Sequence, residues 1–128
     1  MTITLSTPSS IFGTTYEFDI VNNQIQITSI PLRQIWFYDQ RAINDLHQWL
    51  RITNNGNWVL LNTKNENQTP RAGSVEEWAR SINNPIGGFY GLIPNFRGRF
   101  ATFIPPILEH LHLAEVTRNP SNNRMRAL

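Results

Sequence analysis

The residues best suited to chemistry lie close together in the last third of the chain. Residues 86–99, IGGFYGLIPNFRGR, hold four glycines, one proline and three aromatics in fourteen positions. The glycines let the backbone approach a ligand, and successive amides there can form an anion-binding nest. Phe89, Tyr90 and Phe96 offer flat faces for stacking a base or another planar group. Arg97 and Arg99 bring guanidinium forks that match phosphate or carboxylate bidentately. The chemistry on offer at loop 87–99 is recognition of a small anionic ligand. The spacing matches neither the Walker phosphate loop nor the dinucleotide fingerprint. The same residues also make a structural loop, with the aromatics buried beneath it and the arginines paired to Glu76, Glu77 or the C-terminal carboxylate.

Other chemistries find little support. The chain has no cysteine, which excludes disulfides and thiolate metal sites. No Gly-x-Ser-x-Gly elbow is present. Glu76 and Glu77 are accounted for by a helix cap and the helix dipole. Glu109 and His112, three apart with His110 between them, could share one metal on a helix face. Carboxylate-bridged sites of that kind need a second such pair, and His47 is the only other histidine. The sequence therefore names no catalytic residue, no metal ligand and no cofactor.

The charge is unevenly placed. The 128 residues carry a net charge of +2, and ten of the eleven basic residues are arginine. Residues 1–95 hold six basic and seven acidic groups, whereas residues 96–128 hold five arginines and two glutamates. A hydrophobic fraction of 40% and fourteen aromatics predict a folded domain rather than a disordered chain. The length suits one domain over 1–128. The first ten residues show no secretory signal and no apolar run approaches a membrane span, which points to the cytoplasm and away from membranes.

Several elements must position these groups. Residues 14–20 and 24–28 alternate as strands around Asn22-Asn23, a two-residue type I′ turn. Tyr16, Phe18, Ile20, Ile25 and Ile27 should face the core. Residues 35–38 read as strand or helix lead-in. Asp39 is the expected N-cap of a helix that buries Ala42, Ile43, Leu46, Trp49 and Leu50 and stops at Asn55-Gly56. Residues 57–62 form a short buried strand and 63–73 a polar loop. Ser74 and Glu77 make a capping box for a helix whose inner stripe is Val75, Trp78, Ala79 and Ile82. Residues 100–104 are a helical turn or strand. Pro105-Pro106 open another helix, with Ile107, Leu108, Leu111 and Leu113 inward. A hairpin of 114–118 and 124–128, turning at 119–123, ends the chain. The fold class is α+β: an antiparallel sheet of hairpins packed on two or three helices.

The terminal helix and hairpin, roughly residues 104–128, resemble in layout the last third of a winged-helix DNA-binding domain. The resemblance implies a wing whose Arg118, Arg124 and Arg126 contact phosphates, with Asn122 and Asn123 at its tip. The exposed positions of the preceding helix, Glu109, His110 and His112, make a poor groove-reading face. The expectation is a non-enzymatic binding or regulatory module, with nucleic acid or another anionic partner held by Arg97, Arg99, Arg118, Arg124 and Arg126. A protein–protein or homo-oligomeric domain using the four tryptophans and the aromatic loop is the alternative, as is a small-ligand pocket at 87–99.

Overall fold

The computed structural model describes residues 2–31 and 33–128. Alternating apolar residues and two asparagines build its first hairpin. Strands β2 (Thr15–Val21) and β3 (Gln24–Ser29) pair antiparallel, with Phe18 opposite Ile27 and Val21 opposite Gln24. Asn22 and Asn23 sit at φ 53° and 64°, both in the left-handed region that a type I′ turn demands. Strands β1 (Ile3–Ser6) and β4 (Ile35–Asp39) flank the hairpin and complete a four-stranded antiparallel meander, β1-β2-β3-β4. Tyr16, Phe18, Ile25, Ile27 and Tyr38 are buried in the core. Ile20 is 41% exposed, because it lies one pair from the turn, where the sheet meets solvent.

Helix α1 (Arg41–Gln48) follows β4 directly. Asp39 Oδ1 accepts from Arg41 N at 2.9 Å, so the expected cap acts from just ahead of Gln40. The helix continues as a π-helical turn, Trp49–Thr53. Asn55 and Gly56 then take positive φ, 52° and 72°, and Gly56 N bonds back to Leu50 O. This closing turn satisfies the Leu50 carbonyl, which the end of the helix would otherwise leave unpaired.

The second half is built from short pieces. Strand β5 (Val59–Leu60) leads into the polar loop and then helix α2 (Val75–Trp78). Ser74 Oγ accepts from Glu77 N at 3.2 Å, while the Glu77 carboxylate reaches Gly73 N rather than Ser74 N. The inner stripe ends early. Ile82 is 82% exposed, because the α-helix stops at Trp78 and its spacing no longer governs residue 82. Helices α3 (Phe100–Phe103) and α4 (Pro105–His110) bury Phe100, Ala101, Phe103, Ile107 and Leu108. Leu111 is half-exposed, since α4 ends at His110 and the chain turns at His112, φ 61°.

Strands β6 (Ala114–Val116) and β7 (Arg124–Ala127) form the terminal hairpin. β7 also pairs with β5, giving a second sheet of order β5-β7-β6. The architecture is α+β. One cluster of buried side chains runs from the meander through α1 to α4 and Met125. Buried hydroxyls are satisfied by backbone, Tyr16 Oη donating to Phe103 O and Tyr38 Oη to Gly98 O, each at 2.7 Å. Among the described residues no helix is long and apolar enough to cross a membrane.

Candidate functional site: a wing-side groove

The glycine-rich run is organised by one side chain. Asn84 Oδ1 accepts from the amides of Ile86, Gly87 and Gly88, at 3.1, 2.9 and 3.2 Å. Its amide nitrogen donates to Trp78 O and Gly88 O, each at 2.8 Å. The nest expected of these glycines therefore exists, and a carbonyl oxygen of the chain itself fills it. Asn84 is buried, and it ties the end of α2 to the loop that follows.

The aromatics of this loop are equally engaged. Tyr90 is fully buried, stacks on Trp78 at 5.2 Å between centroids, and donates from its hydroxyl to Asp45 Oδ2 at 2.8 Å. Burial and the neighbouring carboxylate push its phenol well above the usual range. Phe89 lies under two guanidinium groups, Arg80 at 5.1 Å and Arg97 at 4.8 Å. Phe96 packs edge-on against Trp36.

Beneath them sits a buried ion pair that the sequence attributes to simple helix capping. Glu76 is 1% exposed and bonds Arg80 Nη2 at 2.7 Å. Its other oxygen accepts from Ala101 N at 2.9 Å. Arg80 also donates to the carbonyls of Lys64, Asn65, Glu66 and Gln68. Burial pushes the Glu76 carboxyl up against the opposing pull of Ala101 N–H and Arg80. This pair clamps the polar loop after β5 between α2 and α3.

Arg97 and Gly98 close the clamp. Arg97 engages Glu66 through Nε at 2.9 Å, Nη2 at 3.3 Å and its own backbone amide at 3.0 Å. The partner is thus Glu66, not Glu76, Glu77 or the chain terminus. These bonds from Arg97 hold the Glu66 carboxyl below its ordinary value. A Cβ on Gly98 would stand 2.4 Å from Glu66 N and 2.6 Å from Asn65 C, so only glycine admits this approach. Arg99 takes the left-handed conformation, φ 60°, and its Nε donates to Asn65 Oδ1.

The wing divides its residues between fold and surface. Arg118 donates to Ser6 O and Thr7 O and pairs with Glu109, which occupies the carboxylate considered for metal binding. Arg126 pairs with Glu115 at 2.9 Å and covers the Trp58 ring at 4.6 Å. Asn123 is buried, and its amide braces the turn through Thr117 Oγ1, Asn119 N and Asn119 O. Asn122 is exposed at φ 55°. Arg124 is exposed beside Leu60, its cross-strand partner. Among the described residues, Arg99 and Arg124 are the two of the five C-terminal arginines without a carboxylate partner.

Arg99 lines a groove, and Arg124 stands opposite Leu60, another of its lining residues. A cavity of about 330 Å³ lies between the β1–β2 loop, the end of β5, the start of α3 and the wing. Thr7, Ser9 and Phe12 line it from the β1–β2 loop, Leu60, Asn62 and Thr63 from β5 and the residues that follow, and Arg99, Thr102, Ser121, Asn122 and Asn123 from the start of α3 and the wing. Among the described residues Arg99 is its only ionisable lining residue, and no carboxylate lines it. Leu60 places Arg124 alongside. The volume sits at the small end of the range for ligand clefts, roughly 300–1,000 Å³.

The β1–β2 loop is fastened to the wing. Ser9 Oγ donates to Pro120 O at 2.9 Å, and Ser10 N donates to Asn119 O at 3.0 Å. Of the nine residues singled out in the sequence, the groove gathers Arg99, Asn122 and Asn123, with Arg124 adjacent. Phe89, Tyr90, Arg97, Arg118 and Arg126 are drawn into packing or ion pairs elsewhere. Phe12, Asn62 and Thr102 escaped the sequence because the groove draws on four separated segments, and no local pattern marks them. Among the described residues no group of three or more histidines and carboxylates is placed to hold a metal.

No curated protein and no solved structure matches the chain. A family model does, over residues 3–128, and it is described as a family of unknown function, DUF6855. With nearly its whole length matched, the chain belongs to that family.

Proposed function

We propose that the protein is a non-enzymatic binding module for an anionic partner, nucleic acid foremost, held in the wing-side groove by Arg99 and Arg124. The observation that carries this reading is the contrast in pairing. Arg80, Arg97, Arg118 and Arg126 each have a carboxylate within 3 Å, while the described lining of the groove has an arginine and no acid. A guanidinium without a carboxylate partner keeps donors for phosphate; Arg99 commits only its Nε, to Asn65 Oδ1, leaving its two terminal nitrogens. A cysteine-free chain suits the cytoplasm, where such partners are abundant.

The tryptophan-interface alternative has less to draw on. Trp49 and Trp78 stack on each other and Trp36 packs on Phe96 and Phe103, leaving Trp58 half-exposed under Arg126.

Salt dependence tests the reading. Two arginines reaching phosphate predict a slope of log K against log salt of about −1.4 on single strands, whereas five would give about −3.5. Fluorescence anisotropy with a labelled single-stranded oligonucleotide measures it. Arg99→Gln combined with Arg124→Gln should abolish binding, and Arg126→Gln should leave it close to wild type. Equal binding by the double variant and the wild type would remove the reading.

A further inference from the structure

We infer that the groove takes a single nucleotide unit, with its phosphate on Arg99 and its base on the ring of Phe12. This rests on the anionic reading above and goes beyond it in naming the ligand class.

Phe12 carries the step. It is 82% exposed, the most exposed aromatic residue on the large-hydrophobic surface, and it lines the same groove as Arg99. A large apolar ring left in water gains nothing for the fold. Its position is nevertheless built. Ser9 Oγ accepts from Phe12 N at 3.0 Å and from Ile11 N at 3.3 Å, while the same hydroxyl donates to the wing at Pro120 O. Thr7 and Thr14 close the loop through Thr7 N to Thr14 O at 2.9 Å and Thr14 N to Thr7 Oγ1 at 2.8 Å. A Cβ on Gly13 would stand 2.2 Å from Ser9 O, so the tight return behind Phe12 requires glycine. The loop thus spends a hydroxyl, a glycine and two ties to the wing on presenting one ring at the groove.

The remaining lining suits what lies between a phosphate and a base. Thr63 and Thr102, both lining the groove, share a hydroxyl contact. Ser121 and Asn122 stand exposed on the wing, able to donate to or accept from a sugar or base edge. The cavity of about 330 Å³ is too small for a long strand segment and favours one unit. That unit can come from two sources, a free mononucleotide or one residue of a single strand, and the chemistry recognised is the same.

Calorimetric titration of the full chain decides the matter with three probes: inorganic phosphate, adenosine monophosphate and a single-stranded tetranucleotide. The expected result is that the mononucleotide binds at least tenfold more tightly than phosphate. Phe12→Ala should cut that advantage by about five- to a hundred-and-fiftyfold, the range for an aromatic–base stack, and Phe12→Tyr should keep it. Phe12 is so exposed that Phe12→Ala leaves the fold intact, which a thermal melt verifies. A tetranucleotide gain beyond the fourfold statistical factor identifies a strand as the source; equal affinity identifies the free nucleotide. The inference is overturned if phosphate and mononucleotide bind alike, or if Phe12→Ala leaves the mononucleotide affinity unchanged. In that event Arg99-dependent binding of phosphate or of the tetranucleotide leaves the anionic reading standing. Failure of all three probes to bind removes both.

Discussion

Two arginine-bearing regions of this molecule have nearly the same ingredients and opposite settings. In the clamp, Arg80 and Arg97 meet Glu76 and Glu66, backbone carbonyls and the face of Phe89. At the groove, Arg99 meets one asparagine oxygen, and Arg124 has no carboxylate partner among the described residues. The difference teaches that an arginine's type says little about its task. A guanidinium whose charge is answered by a carboxylate holds chain to chain; one with no carboxylate is available to something else.

The comparison predicts a graded set of losses. Glu76→Ala should cost about 3–5 kcal/mol in denaturant unfolding, because it leaves Arg80 and Ala101 N–H buried without their acceptor. A loss within surface-mutation scale would show that Arg80's four carbonyls suffice alone. Gly98→Ala should cost about 1–3 kcal/mol, since the added methyl meets backbone that cannot move aside. Both variants act on the clamp.

The effects of pH are smaller and of opposite sign for the two clamp carboxylates. Glu66 is held low in the folded state, chiefly by Arg97. Its stabilisation is therefore present above the ordinary carboxylate range and lost as pH falls through its depressed value. Glu76 is raised by burial, so the native state favours its proton. Its contribution is present below the ordinary range and declines as pH rises through its raised value. Thermal melts across acid pH should show Arg97→Gln flattening the first loss and Glu76→Gln the second. Smallest of all, Arg124→Gln should change stability by no more than about 0.5 kcal/mol, because its side chain answers no internal acceptor. A larger cost would place Arg124 with the clamp instead.

Much of the fold was legible where local physics decides. Asn22-Asn23 announced a type I′ turn because few residues tolerate two successive positive φ values. Ser74 announced a helix start because its hydroxyl has one obvious donor to answer. The paired prolines at 105 and 106 marked the start of α4 for the same kind of reason. Distance in sequence hid the rest. Glu76 looks like a first-turn carboxylate serving a helix dipole, and nothing nearby reveals that Ala101, twenty-five residues on, will bury it. Ile82 continued a spacing that the chain had already abandoned at Trp78. The glycine loop read as a ligand cradle because its composition cannot show that Asn84, just upstream, occupies the amides. The groove was invisible for a plainer reason, since strand pairing between β5 and β7 is what brings residues 60–63 to the wing.

The parallel rings of Trp49 and Trp78, 5.1 Å apart and inclined by only 18°, have an optical consequence. Two indoles so close share their electronic excitation, and an asymmetric pair of this kind gives a circular dichroism band of paired opposite lobes. Trp49 rides on the π-helical turn and Trp78 closes α2. The band therefore reports the docking of those two segments, separately from backbone signal. Among the described residues no tryptophan lines the groove, so the same band should stay unchanged when a ligand binds there and fade only when the clamp opens.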